Sequence, residues 1–172
     1  EILASGVSQA MTAQEFTECY APSWGRHRDR TRPAAGNHEY HTPGATAYFA
    51  YFGAAAGDPT RGYYAYDLGA WRVIVLNSEC DQVGGCAAAS PQVRWLRDEL
   101  AAHPTACTLA IWHKARFSSG DRYGDDATFQ PFWDALYDAG AEVVVTGHDH
   151  DSERFAPQTP AASDEQHASN DA

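Results

Sequence analysis

Basic side chains are scarce in this 172-residue sequence: 12 Lys and Arg stand against 23 Asp and Glu, a formal net charge of −11. That balance argues against nucleic-acid binding through a broad basic surface. Long apolar runs are absent too. None approaches the ~20 residues that a membrane helix needs, so no membrane partner is expected. Glu1 to Gly6 has neither a basic start nor an apolar core, so no signal peptide is read there. The missing initial Met suits a mature or cut chain. CxxC pairs are lacking, which argues against a zinc ribbon. No internal repeat is found.

What is there suits one soluble globular domain: 44% hydrophobic and 20% charged residues, with eight His and five Trp. The four cysteines are Cys19, Cys80, Cys86 and Cys107. Cys80 and Cys86 flank Gly84-Gly85, a loop flexible enough to close as a disulfide. That expectation places the protein in a secreted or periplasmic setting. The alternative is four buried thiols in a cytosolic protein. Cys19 with Cys107 is a second, weaker pairing.

The pattern predicts alternating strands and helices. Thr12-Ala13-Gln14-Glu15 has the form of a capping box. Phe16, Cys19 and Tyr20 then share a helical face that Pro22 ends. His41 to Pro59 reads as an irregular, aromatic-lined loop. Gly62–Leu68 and Arg72–Asn77 read as a hairpin turning at Gly69-Ala70. The run Val73-Ile74-Val75-Leu76 marks a strand buried on both faces. Ser90-Pro91 opens a helix carrying Trp95, Leu96 and Leu100. Cys107 to Trp112 is a strand. Phe129, Phe132, Trp133, Leu136 and Tyr137 repeat at helical spacing up to Gly140. Glu142 to Thr146 is the next strand. The fold class is therefore α/β. From Pro157 the composition falls to small and polar residues, so 159–172 is expected to be a disordered tail after a 1–158 domain.

Two features bear on chemistry. Arg26 to Arg32 is dense in basic residues and reads as a solvated or salt-bridged surface, with a phosphate-attracting rim as the alternative. Three His-bearing motifs sit in turns or just past strand ends: Gly36-Asn37-His38-Glu39, Trp112-His113, and Gly147-His148-Asp149-His150. Loops at the C-terminal ends of strands are where α/β folds bind ligands. In an extended stretch His148 and His150 point the same way. Imidazoles with an amide oxygen form a mixed N/O site suited to zinc, iron or manganese. Each motif alone is weak or moderate evidence; their joint occurrence is specific.

In this order the motifs resemble the calcineurin-like metallophosphoesterases. Trp24-Gly25-Arg26, Arg30-Thr31-Arg32-Pro33, Arg116-Phe117-Ser118-Ser119-Gly120 and the run from Gly147 to Phe155 are similar to the purple acid phosphatase-like branch. The resemblance implies a central β-sandwich flanked by helices, with a dinuclear metal centre of Fe, Zn or Mn at the strand ends. It implies Asn37, His113 and His148 as ligands of one metal and His150 as a ligand of the other. It implies His38 beside the metals, holding the phosphate or protonating the leaving alkoxide. The substrate implied is a phosphoester, attacked by metal-activated water without a covalent enzyme intermediate.

The family's Asp-x-His or Asp-x-Gly motif and its Gly-Asp motif, whose Asp bridges both metals, are not found before Gly36. The chain thus looks like an internal segment of such an enzyme, a partial metallophosphoesterase domain. Lys114-Ala115 stands where His-Pro or Lys-Pro is frequent, and Ser152 where Tyr is usual. Lys114 is read as solvent-facing, with a phosphate contact as the alternative. Tyr40, His41 and Phe117 either line a substrate pocket or pack as ordinary aromatics. The leading reading is a metal-dependent phosphoric-ester hydrolase. The alternative is a metal-binding fragment of weak or no activity, with about one tight metal per chain. A third reading is a metal-free α/β interaction protein.

Overall fold

The computed structural model describes residues 11–104 and 107–161. Glu1 to Gly6, and the expected tail beyond 161, lie outside the described residues.

Four strands form one sheet in the order β1-β2-β3-β4: β1 Tyr64–Leu68, β2 Trp71–Val75, β3 Cys107–Lys114 and β4 Val143–Gly147. The expected hairpin is present, with Leu68 opposite Trp71 across an antiparallel pair. The other two pairs are parallel. Each therefore needs a long crossover. Helix α3, Pro91–Ala102, crosses from β2 to β3, and α4, Gln130–Asp138, crosses from β3 to β4. Ser90 caps α3 by accepting from the Val93 N–H, and Pro91 occupies the first turn, where its missing N–H costs nothing. The described residues thus supply one sheet and its helices rather than both layers of a sandwich.

Alternation along the strands decides what each face covers. Ile74 and Leu76 of β2 and its end, Ala110 and Trp112 of β3, and Val144 of β4 share one face, where α3 and α4 bring Val93, Leu96, Phe132, Ala135 and Leu136. Val73 and Val75, on the opposite face, are also buried, as the continuous apolar run requires. Across that opposite face burial fades toward the edge. Leu109 and Ile111 are half-buried, and Val143 and Val145 of β4 are 39% and 47% exposed.

A second core surrounds helix α2, Thr46–Phe52. The sequence pattern gives a loop here because aromatic residues crowd the segment without a polar face. The crowding itself drives the helix: Tyr48, Phe49 and Phe52 pack with Phe16, Ala35 and Ala45. The capping box forms, with Thr12 Oγ1 accepting from the Glu15 N–H and the Glu15 carboxylate accepting from the Thr12 N–H. Only Ala13–Glu15 (α1) is α-helical, and Phe16–Tyr20 winds as a π-helix. That wider winding puts Cys19 outside the shared face: Phe16 is buried and Cys19 is exposed.

Cys80 and Cys86 form the expected disulfide. Cys19 is a free thiol, so the Cys19–Cys107 pairing does not form.

Candidate metal centre

The centre is assembled at the C-terminal ends of two adjacent parallel strands. β3 runs two residues beyond the expected Trp112, so His113 lies within the strand rather than after it. It sits next to the end of β4, where Lys114 is opposite Gly147. His148 follows β4 at once and adopts a φ of 78°, a left-handed turn uncommon outside glycine. This turn breaks the extended path in which His148 and His150 would point the same way.

The third residue comes from a distant loop. Pro33, just upstream, is held by two phenols: the hydroxyls of Tyr48 and Tyr64 both donate to its carbonyl, at 2.9 and 2.8 Å. Gly36 then donates its N–H to Glu39 at 2.7 Å, which sets the turn that carries Asn37 and His38. A Cβ at Gly36 would fall 2.7 Å from the His113 ring. Only glycine lets this loop lie flat against the imidazole.

Three atoms converge. His113 Nε2 is 2.7 Å from Asn37 Oδ1 and 3.0 Å from His148 Nδ1. Ligand atoms bound at ~2.0–2.2 Å to one tetrahedral cation sit about 3.3 Å apart. The trio is slightly tighter than that, and a small outward shift would admit a transition-metal ion. No group of three or more His, Cys, Asp or Glu side chains arranged to hold a metal occurs among the described residues. The convergent set includes an amide oxygen instead. Its chemistry, two imidazoles and one neutral oxygen, suits zinc, iron or manganese.

Electrostatics favour the ligand form of His113. It is 7% exposed, and burial, followed by the proximity of His148, pushes its pKa down to about 3. Lys114 and His38 press in the same direction. The ring is therefore neutral at physiological pH and keeps a lone pair available. His38 is half-buried beside Asn37 and pairs its ring with that of His41 at 5.2 Å. His150 is exposed, and the turn at His148 does not bring it to the trio.

Several neighbours carry no obvious signal in the sequence. The Tyr123 ring stacks on His148 with centroids 3.9 Å apart. Asp149 is buried and accepts from the Ser118 hydroxyl, with a longer bond from the Gly124 N–H at 3.4 Å. It fastens the 118–124 loop to the turn after β4. A Cβ at Gly120 would fall 2.5 Å from the Asp149 carboxyl carbon, so the close approach requires glycine. Between these segments lies a pocket of about 290 Å³ lined by Lys114, Ser118, Tyr123, Asp126 and His148. Lys114, expected to face solvent, is half-buried and ion-paired with Glu79 at 2.9 Å. Tyr40 receives a hydrogen bond from the buried Asn77 amide at 2.7 Å, His41 is exposed, and Phe117 packs edge-on against Trp133.

The family model described as calcineurin-like phosphoesterase matches residues 10–152. A solved purple acid phosphatase from yellow lupin (Lupinus luteus) seeds superposes with a TM-score of 0.61 at 14% identity. The match covers 85% of this chain and 33% of that one, so the chain spans about a third of the lupin protein's length. At that identity the likeness shows the fold. No curated protein matches the sequence.

Proposed function

Since this chain belongs to the calcineurin-like phosphoesterase family, we propose that its Asn37–His113–His148 trio binds one transition-metal ion and serves the hydrolysis of a phosphoric ester. The observation that carries this reading is the convergence of Asn37 Oδ1, His113 Nε2 and His148 Nδ1 from three separate segments. When bound, the ion would supply Lewis acidity and lower the pKa of a water toward ~7. The protein would do the rest. Gly36 lets Asn37 reach the ring of His113, and burial keeps that imidazole unprotonated. His38 would give a proton to the leaving oxygen. The disulfide and the purple acid phosphatase-like fold support an oxidising, secreted or periplasmic setting.

The fragment reading is supported by a specific observation as well. His150 is exposed, and Asp149, the carboxylate of the motif, accepts from Ser118 and Gly124 through its Oδ2. Among the described residues no carboxylate completes a metal-binding group of three with these histidines, so a second ion would have few ligands there and nothing to offset the repulsion between two cations. We accordingly expect one tight site and weak hydrolysis in this chain.

Elemental analysis of the purified protein, run beside a phosphomonoesterase assay, tests both statements. About one metal per chain, lost in His148→Ala, is the expected result. His38→Ala should keep the metal while lowering any turnover about 10²–10⁴-fold. Two metals with robust hydrolysis would overturn the one-metal reading. No metal at all would overturn the site.

A further inference from the structure

The short helix Trp24–Arg30 gathers several basic side chains. Arg26 Nε donates toward His27 Nε2 at 3.3 Å, and an Arg30 terminal nitrogen lies 3.0 Å from His27 Nδ1. Guanidinium groups donate and never accept. A neutral imidazole has one accepting nitrogen, and an imidazolium has none. At least one of the two N–H groups must therefore face another N–H. Among the described residues no carboxylate forms an ion pair with Arg26 or Arg30, although the chain holds 23 acidic residues and Asp29 lies between them. Their neighbours are engaged elsewhere, Arg28 over the Tyr51 ring and Arg32 over the Tyr66 ring. The cluster is also held in shape: the Thr31 hydroxyl donates to the His27 carbonyl at 2.9 Å.

We propose that Arg26, His27 and Arg30 form a binding site for a phosphate dianion. An oxyanion accepts at every oxygen, so it would satisfy both guanidinium groups and the imidazole together, where the imidazole alone cannot. Each arginine fork can donate two parallel N–H bonds to a pair of phosphate oxygens. Neutral imidazole is the resting state, because desolvation, Arg30 and Arg26 all push His27 below its usual pKa. This site involves none of the three residues of the metal trio and does not depend on hydrolysis.

The test uses the full chain with labelled histidine. Inorganic phosphate and glycerol phosphate are titrated separately at constant ionic strength, with sodium chloride as the balance, while the His27 ring resonances are followed. A saturable shift in the millimolar range is expected. Response to both ligands assigns the site to a terminal phosphate group; response to inorganic phosphate alone assigns it to the free ion. Arg26→Gln and Arg30→Gln should each weaken binding about tenfold or more, since each removes a charge-assisted hydrogen bond. His148→Ala should leave the response unchanged, which separates this site from the metal centre. A shift that chloride reproduces at equal ionic strength, or one that survives both arginine substitutions, would overturn the proposal.

Discussion

At the scale of single residues, backbone access matters as much as the ligand side chains. Asn37 and His113 are 76 positions apart. They meet because Gly36 has no side chain between them. In Gly36→Ala the new methyl carbon would lie 2.7 Å from two ring atoms of a buried imidazole. The ring or the loop must shift. Overpacking of this kind costs about 1–3 kcal/mol. We expect a lower urea midpoint for the metal-free protein, together with weaker metal binding. A variant as stable as the parent would show that the loop is free to move and that Gly36 does not set the Asn37–His113 approach. Asp149 gives the complementary lesson. It lies between two histidines in the motif, and the fold uses it to hold the 118–124 loop.

At the scale of elements, the β2–α3 connection is anchored by a buried pair of residues. Asn77 donates its backbone N–H to Gln92 Oε1 at 2.7 Å, and Gln92 Nε2 donates back to the Asn77 carbonyl at 2.9 Å. Both residues are fully buried. The Cys80–Cys86 bridge closes the same connection over a separation of six residues. Chain-entropy reasoning assigns such a short loop about 2 kcal/mol. Reductant should therefore lower the parent's stability by about that amount, and the double variant Cys80→Ser/Cys86→Ser should match the reduced parent and ignore reductant. Equal denaturation curves with and without reductant would mean that Asn77 and Gln92 alone hold the loop. Through the hydrogen bond from the Asn77 amide to Tyr40, this connection also braces the loop that carries His38.

At the scale of the whole molecule, the sheet is unevenly covered. Helices α3 and α4 seal one face, but Val143 and Val145 stand exposed on the other at the β4 edge of the described sheet. An apolar edge strand invites pairing with another chain. Sedimentation should show concentration-dependent association of the purified protein. Val145→Lys should suppress it with a stability change within about 0.5 kcal/mol, because the position buries little. A parent that stays monomeric across the concentration series would remove the edge as an association surface.

The division between sequence and tertiary structure follows from the range of the interactions. Residue spacing alone determined the α/β class, the hairpin at Gly69-Ala70, the capping box at Thr12, the start of α3 at Ser90-Pro91 and the Cys80–Cys86 bridge. Each depends on residues close together in the chain, where local geometry leaves few choices. The order of the motifs along the chain pointed to the family by resemblance, and the family model matches residues 10–152. Helix α2 was not legible, because its aromatic residues fold as a helix only when Phe16 and Ala35 are there to receive them. The resemblance put His148 with Asn37 and His113, but the turn that carries it there was not legible. Alternation along an extended strand points His148 and His150 the same way, and the left-handed φ of His148 departs from that extended path. That turn is fixed by the end of β4 against β3 and by the anchoring of Asp149 to Ser118. Such long-range contacts have no period in the sequence, so only the folded chain shows how His148 meets His113 across 35 positions.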